Sequence, residues 1–539
     1  MPVLSARIIS ASICTTGVHV RHAGDETKSL HNRQEHLVKA MLIIQATTKY
    51  TENKMIRNPL QLKARSLTAF SLPVLLALSA CDGTTLSSLE SDLANGEDVT
   101  INVSTDDDGN VVIGGSSSAP QDDGAAAAPA GGVFAMSNIQ EGNTVVAYSR
   151  AADGTLSLAG EFATGGLGGD FDGPEGLDPL ISAYALINTP DNEYLMAVNA
   201  GSNTISVMQI NDDMTLELVD TESSFGTGPN SLAINNGIVY VTNIDADGEF
   251  GGEPDQEGSI YGYTFSNGDL EPIAGSRRYL ENRPSAVRFS PDGSTLLIAS
   301  INAGSNQLAS ENEDSMVAFT IDASGIPSEV ATGGATSTLQ GNSANRNLPS
   351  AIGFEVTDRS NGTFAIVTEA REFTAAGDPP NFPGLQSGSI STYVVGGDGS
   401  LTGAQLDLVA GQSAARGEGQ LTTCWIVLDP DGEHFYVSNA IDATISTFRF
   451  TDASGNIELI NEVAASGTGP GTITDGGLAF SNTDGWIDLD ITDDGEFLYQ
   501  LFGLSGAVGV YAVNDGNLSL VEVVSGNLPD ENTQGIVSF

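Results

Sequence analysis

The chain has 539 residues and a formal net charge of -49, with 20 Lys and Arg against 69 Asp and Glu. Ten of the basic residues but only four of the acidic ones precede Cys81, and no lysine follows Lys63. A surface this acidic repels nucleic acid and anionic lipid headgroups, so we expect neither as a direct partner. It is typical of a protein that stays soluble in saline surroundings, or of one that collects cations.

The first 54 residues differ in character from the rest of the chain. They hold four of the five histidines together with mixed charges, and they lack strand periodicity. Met55 is followed by a basic segment and by an apolar stretch from Ala69 to Leu78, which is the order found in an export signal. We therefore interpret residues 1–54 as a mis-assigned upstream extension and residues 55–81 as a signal peptide.

The apolar stretch ends Leu78-Ser79-Ala80-Cys81, which resembles the lipobox of bacterial lipoproteins. The resemblance implies a lipid anchor on Cys81 in a bacterial membrane, and a location in the cell envelope on the periplasmic or the surface side. The alternative is an ordinary secretory signal with a chance cysteine. Residues 82–132 follow as an acidic, low-complexity tether with room for one small hairpin around Asp106 to Gly109.

One strand pattern recurs seven times after the tether. Each copy alternates apolar with small or polar residues, as a half-buried strand does, and starts 55 to 74 residues after the copy before it. The copies are NTVVAYSR from Asn143, NTISVMQI from Asn203, GSIYGYTF from Gly258, DSMVAFTI from Asp314, GSISTYVV from Gly388, ATISTFRF from Ala443 and GAVGVYAV from Gly506. Four-stranded units with enlarged loops fit this spacing, so the sequence predicts an all-β, seven-bladed β-propeller over residues 133–539.

The two ends of the repeat region complement each other. The first repeat starts at Val133 without an innermost strand, and the chain ends in the lone strand pattern GIVSF from Gly535 to Phe539. We predict that this C-terminal strand pairs into the first blade, because an unpaired edge would leave the ring open. We expect the resulting propeller to be monomeric.

The loops of the repeats are unequal in an orderly way. Connections between the first and second strands of a blade, and between the third and fourth, carry tight-turn signals such as PDG at 291 and NDG at 514. The long segments, among them 245–258, 302–313 and 371–386, all fall at the opposite face. Loops on a rigid frame are where ligands are met, so we interpret this long-loop face as the binding face for an unknown small molecule or envelope partner.

The repeat region, Val133 to Phe539, is similar to the lactonase-type seven-bladed β-propeller family, which includes 6-phosphogluconolactonase and carboxymuconate-lactonizing enzymes. The resemblance rests on motifs such as NTVVAYSRAADGTLSLAG, PSAVRFSPDGSTLLIAS and the closing QGIVSF. Lactonases of this family carry a proline-arginine-histidine motif at the start of an inner strand and a glutamate at the end of the next strand. The matching positions here read Pro284-Ser285-Ala286 and Pro349-Ser350-Ala351, so the arginine and histidine are missing.

Glu369 stands at a position like that of the family's glutamate, and Arg371 follows closely. Lactone hydrolysis needs a base to activate water and a cation or donors to hold the oxyanion, and these two residues are the best catalytic candidates. The resemblance thus implies a divergent lactone hydrolase. The missing arginine and histidine favour a non-catalytic binding module, and whether the protein is an enzyme stays open.

Further residues are candidates for ligand contacts: Arg283, Arg288, Arg346, Trp425 and Asp488. Arginine is scarce in the repeats, although each one can pair with a neighbouring carboxylate instead of an anionic ligand. Asp488 and Asp490 alternate with apolar residues on an inner strand beside the channel, where they could hold a cation or simply face water. No metal or cofactor motif of standard spacing is present, so we expect no cofactor, with a divalent cation as the open alternative.

Two reactive residue types occur singly in the repeats. Cys424 opens an inner strand beside Trp425, and we interpret it as a small buried core residue. His434 follows a tight turn on the face opposite the long loops, and we interpret it as a surface strand residue.

Overall fold

The structure, a computed structural model, describes residues 60–64, 98–105, 111–118, 128–171, 178–245, 258–301, 315–335, 349–371, 386–411, 419–467, 473–475, 478–480 and 485–539. The chain divides into two units, Met1–Ala127 and Ala128–Phe539. The described residues contain no α-helix, and hence none that could span a membrane. The predicted upstream extension, residues 1–54, and the predicted lipidation site, Cys81, lie outside the described residues.

The first unit contains one three-stranded antiparallel sheet. Its strands, in spatial order, are β1 (Leu60–Ala64), β2 (Asp98–Thr105) and β3 (Val111–Ser118). The strands β2 and β3 pair as the small hairpin that the sequence predicts in the tether. The strand β1 is not predicted from the sequence, because its five residues lie in the basic segment of the predicted signal peptide.

The second unit is a seven-bladed β-propeller of antiparallel sheets, as the sequence predicts. In blades 2 to 7 the innermost strand comes first in the chain. The strands of the first three blades are, in blade 1, β4 (Gly131–Met136), β5 (Thr144–Arg150) and β6 (Leu156–Ala163); in blade 2, β7 (Leu186–Asn188), β8 (Tyr194–Asn199), β9 (Thr204–Ile210) and β10 (Leu216–Ser223); and in blade 3, β11 (Thr227–Asn235), β12 (Ile238–Asp245), β13 (Gly258–Ser266), β14 (Asp269–Pro272) and β15 (Arg278–Leu280). The strands of the next three are, in blade 4, β16 (Arg283–Phe289), β17 (Thr295–Ile301), β18 (Met316–Thr320) and β19 (Gly333–Ala335); in blade 5, β20 (Ser350–Arg359), β21 (Gly362–Arg371), β22 (Gln386–Val395) and β23 (Leu401–Val409); and in blade 6, β24 (Thr423–Leu428), β25 (His434–Asn439), β26 (Thr444–Phe450) and β27 (Ile457–Ser466). The chain then forms a hairpin between blades, β28 (Ile473–Asp475) and β29 (Leu478–Phe480); the strands of blade 7, β30 (Trp486–Ile491), β31 (Phe497–Phe502), β32 (Ala507–Asn514) and β33 (Asn517–Ser525); and finally β34 (Ile536–Ser538), which belongs to blade 1.

The last strand, β34, closes the ring, which confirms the predicted closure. It pairs antiparallel with β4 through Ile536 and Ala135, Val537 and Phe134, and Ser538 and Val133. The buried side chain of Arg150 also holds the last residue, because its Nε donates to the Phe539 carbonyl at 3.0 Å. The rings of Phe134 and Phe539 also stack, with centroids 5.9 Å apart. Backbone pairing, a buried guanidinium and an aromatic stack together hold the final residues in blade 1.

The two rims of the propeller differ in their connections. At the tight-turn rim, where first strands lead into second strands, a hydroxyl closes the turn in three blades by donating to a nearby aspartate. These bonds are Thr189 to Asp191 (2.5 Å), Ser290 to Asp292 (2.7 Å) and Thr492 to Asp494 (2.5 Å). The long connections join the strands at the other rim, and each of them includes residues outside the described ranges.

Candidate functional site in the central channel

The innermost strands of all seven blades surround a cavity of about 260 Å³. Small-molecule sites typically enclose roughly 300–1,000 Å³, so this cavity suits a compact occupant. Its polar lining comes from Tyr184, Asn188, Asn235, Arg288, Glu355, Asp488 and Asp490. Asn188 and Asn235 are the last residues of β7 and β11, and Arg288 is the last but one of β16, so this part of the cavity lies toward the tight-turn rim.

Residues 178–185, which we name the crossing segment, lie across the channel on the long-loop side of this cavity. The Ala183 N–H donates to the Ser285 carbonyl of blade 4 at 3.0 Å. The Trp425 indole N–H of blade 6 donates to the Ser182 carbonyl at 2.8 Å. A segment that precedes blade 2 can reach blades 4 and 6 only by passing over the channel axis. The crossing segment therefore caps the cavity.

The crossing segment has an unusual backbone that its contacts hold in place. Ile181 and Tyr184 have φ values of 52° and 65°, in the left-handed region that non-glycine residues seldom adopt. The Gln534 amide, just before β34, donates to the Asp178 carboxylate and to the Ser182 carbonyl, both at 2.6 Å. Backbone conformations of this kind persist only where the surrounding structure fixes them, so the cap is an integral part of the channel.

Tyr184, Arg288 and Glu355 form one cluster in the cavity wall. The Arg288 guanidinium lies over the Tyr184 ring, 3.6 Å from its centroid, and its Nη2 donates to Glu355 Oε1 at 2.7 Å. Burial, reinforced by Glu355, raises the pKa of the Tyr184 hydroxyl. Burial lowers the pKa of Arg288, but Glu355, Tyr184 and Asp490 together outweigh it and the net direction is upward. At neutral pH the cluster is thus an ion pair beside a neutral phenol.

Asp488 and Asp490 of β30 lie beside this cluster and hold the closing strand. Asp488 Oδ2 accepts the Gly535 N–H at 2.8 Å, and Asp490 Oδ2 accepts the Ser538 N–H at 2.6 Å. Burial raises the pKa of each carboxyl to about 7, against the effect of these hydrogen bonds. Asp490 raises the pKa of Asp488 further, whereas Arg288 lowers that of Asp490. The two carboxyl groups therefore keep protons under mildly acidic conditions.

Three of the five predicted ligand-contact residues meet at the cavity: Arg288, Trp425 and Asp488. Arg283 is half-buried at the start of β16, and Arg346 lies outside the described residues. Arg288 forms the carboxylate pair that the sequence analysis gives as the alternative to anion binding. Cys424 is buried, as expected.

Two cavity residues, Tyr184 and Glu355, are not among those predicted from the sequence. Tyr184 lies in an irregular connection without periodicity, so no sequence signal marks it. Glu355 could have been predicted, because it is a charged residue that follows apolar ones on the inner strand β20. Asp488 and Asp490 interrupt β30 in the same way.

Glu369, the predicted base, lies at the end of β21 with a fully buried side chain. The Ser389 hydroxyl donates to its Oε2 at 2.8 Å. Blades 2 and 6 have Asn199 and Asn439 at the same position, where each amide donates to two hydroxyls of the next strand. Glu369 thus occupies a structural position of the repeat and is not among the residues that line the cavity. The side chain of Arg371 lies outside the described residues, so the pairing of these two residues stays a prediction.

His434 lies at the tight-turn rim, as expected, beside two aspartates. Ligand atoms of Asp429, Asp431 and His434 lie within 4.8 Å of one another, so this group could hold a metal ion. Asp429 stands where three other blades have the hydroxyl that closes the turn, and burial raises the pKa of its carboxyl. Asp245, the first residue of the long segment 245–258, is buried.

The two channel aspartates predict a pH-dependent stability. A carboxyl whose pKa rises on folding stabilises the folded state below about pH 4, and this contribution is lost as the pH rises to about 7. At about 1.4 kcal/mol per pKa unit, the loss reaches about 4 kcal/mol for each group. We expect the Asp488→Asn, Asp490→Asn double variant, which keeps the acceptor oxygens, to remove most of this slope in urea unfolding between pH 4.5 and 8.

The matched control is Asp398→Asn in an exposed turn, which should leave the slope between pH 4.5 and 8 as it is. The pKa of Asp398 is lowered by its bond with Ser400, so its contribution to stability is lost only in more acidic solution. A double variant with the wild-type slope would contradict the assignment.

Several solved structures resemble this chain. A proposed 6-phosphogluconolactonase from Bacteroides uniformis is 18% identical, with 76% of this chain and 99% of that chain covered and a TM-score of 0.47. A periplasmic gluconolactonase from Pseudomonas aeruginosa is 16% identical, with 75% and 99% covered and a TM-score of 0.48. A hypothetical selenium-binding protein from Sulfolobus tokodaii is 10% identical, with 76% and 94% covered and a TM-score of 0.51.

The similar structures include proposed 6-phosphogluconolactonases, the type of protein that the sequence resembles. At these identities the likeness shows the fold alone. No protein-family model matches the chain, and the comparison with curated proteins gives no match.

Proposed function

We propose that this protein is an exported propeller related to the lactonases, and that it acts by binding a small molecule or an envelope partner at its long-loop face. The observation behind this proposal is what occupies the family's catalytic positions. Ser285 and Ala286 stand at one proline-arginine-histidine position and Ala351 at the other, and all three are buried. The Ser285 hydroxyl donates to the Ala351 carbonyl at 2.5 Å, and the Ser285 carbonyl accepts the Ala183 N–H.

At the same end of the channel, the Ser182 carbonyl of the crossing segment accepts the Trp425 indole N–H. The crossing segment contacts Ser285 at one of these positions, and Ser285, Ala286 and Ala351 have no titratable side chain. A hydrolase needs a base within hydrogen-bond reach of the attacking water, which these positions do not provide. Loops at the rim of a rigid scaffold remain well placed for binding, which favours a binding role for the long-loop face.

A divergent lactone hydrolase is the second candidate, and Glu369 is the observation that favours it. A buried carboxylate there replaces the asparagine of blades 2 and 6, and a departure of this kind from a structural repeat is typical of a functional position. In this mechanism Glu369 would activate water, and Arg371 would hold the oxyanion.

A lactone assay separates these two candidates. We expect purified protein to hydrolyse sugar and aryl lactones no faster than buffer does, because Ser285, Ala286 and Ala351 stand where the family has its arginine and histidine. Turnover that disappears in Glu369→Gln, which keeps the size of the side chain and an acceptor for Ser389, would establish the hydrolase instead. Glu281→Gln, on an exposed residue, is the matched control and should behave as the wild type in either case.

Site-specific photo-crosslinking tests the binding face. The Phe225 ring is 40% exposed at the long-loop rim and stacks on Tyr261 at 4.3 Å, so a photoreactive phenylalanine fits there. Ala323, exposed in a tight turn of blade 4, is the matched position on the other rim. With an envelope extract we expect saturable adducts from position 225 and none from position 323. Adducts from position 323 alone, or equally from both, would contradict the proposal.

We also propose that Cys81 carries the lipid that anchors the protein in the cell envelope, on the basis of the lipobox resemblance. In a bacterial host, wild-type protein should incorporate labelled palmitate and fractionate with membranes. Cys81→Ala should lose the label and become soluble, because one diacylated cysteine supplies most of the membrane affinity. Label that persists in Cys81→Ala would refute the anchor, and Cys424→Ala is the control.

A further inference from the structure

The channel cavity presents hydrogen-bonding atoms that the fold does not use. Asp488 is 6% exposed and gives Oδ2 to the Gly535 N–H, while its Oδ1 has no hydrogen-bond partner among the described residues. Asp490 gives Oδ2 to the Ser538 N–H and hydroxyl, and its carboxylate also accepts the Ile491 N–H. Both aspartates line the cavity, so their carboxylate oxygens are placed to accept hydrogen bonds from a ligand with several donors.

The charge of the cavity indicates the sign of that ligand. The charged or titratable groups that face the two aspartates are each other, Arg288 of blade 4, Glu355 of blade 5 and the Tyr184 phenol of the crossing segment. Arg288 is already paired with Glu355, which leaves the two aspartates without a cation of their own. When both are ionised the cavity is negative, and a cationic occupant is favoured.

The spacing of the carboxyl groups disfavours a bare metal ion. Calcium, for example, is held by oxygens at about 2.3–2.6 Å, which requires those oxygens to converge on one point. Among the described residues, the convergent group is Asp429, Asp431 and His434 at the tight-turn rim, and the channel carboxyl groups do not form another. An organic ligand can span separated carboxylates with its own N–H and O–H groups.

We propose that the channel cavity binds a compact organic ammonium compound, a small amine that carries at least one further N–H or O–H donor. It enters from the tight-turn rim, because the crossing segment caps the other end. Its ammonium group pairs with Asp488 and Asp490. The buried Arg288 Nε has no hydrogen-bond partner among the described residues. This site is separate from the long-loop face and does not rest on the function proposed for that face.

Calorimetric titration of the purified protein tests this proposal, with putrescine and ethanolamine as probes and glycerol and calcium chloride as comparisons. We expect saturable binding of at least one amine and none of glycerol. Affinity should be at least tenfold higher at pH 8 than at pH 6, with protons released on binding, because the ammonium group replaces protons on the two aspartates.

Variants locate the binding site. Asp488→Asn should weaken amine binding at least tenfold. Since Asp488 also holds the closing strand, Val356→Trp is the second variant, because it fills the cavity wall without touching that contact. Asp398→Asn, exposed at the tight-turn rim, should bind as the wild type does. The proposal is overturned if neither amine binds, if glycerol or calcium binds as well as the amines, or if Val356→Trp binds amines with unchanged affinity.

Discussion

The hydrogen bonds that join the closing strand to the first blade are the interaction on which the rest of the structure depends. A propeller avoids open sheet edges only when its ring is complete, and here three paired residues of β34 complete it. So short a strand needs further support. Arg150 provides it at the outer side, and Asp488 and Asp490 provide it from the channel. The same two carboxyl groups line the cavity, so their protonation affects both ring closure and the candidate site.

Most of the fold could be predicted because its signals are local. Alternating apolar residues, tight-turn sequences and seven spaced copies are properties of short stretches, and each one is legible without knowledge of the rest. The complementary ends of the repeat region add the single long-range inference, and it is confirmed. The hairpin β28–β29 is not foreseen, because it lies within a long connection that has no repeat counterpart.

The candidate site could be predicted only in part. Arg288, Trp425 and Asp488 were identifiable because charged or large residues interrupt inner strands that otherwise hold small or apolar ones. Tyr184 reaches the channel from an irregular segment, and nothing in its sequence neighbours indicates this. Glu369 could be located at a strand end, but whether its carboxyl faces a loop or the blade interior depends on register and packing. Its hydrogen bond with Ser389 follows from that register.

Comparison of the blades with one another partly replaces the comparison of homologues. In three blades a hydroxyl residue closes the turn. Blade 6 has Asp429 at that position, which adds a second carboxyl group beside that of Asp431. Where blades 2, 3 and 6 have Asn199, Asn243 and Asn439, Glu369 introduces a charge. Since neighbouring copies show what the scaffold alone requires, such departures separate residues that maintain the blade from residues that the blade does not need.

The crossing segment changes how this ring communicates with its surroundings. An open torus is a conduit, and whatever enters one mouth can leave through the other. Because the crossing segment closes the channel on the long-loop side, the cavity is a pocket and not a passage. A solute that enters it from the tight-turn rim must leave through the same opening. Each side can then acquire or lose an affinity without disturbing the opposite one, which gives a single small scaffold two independently evolving surfaces.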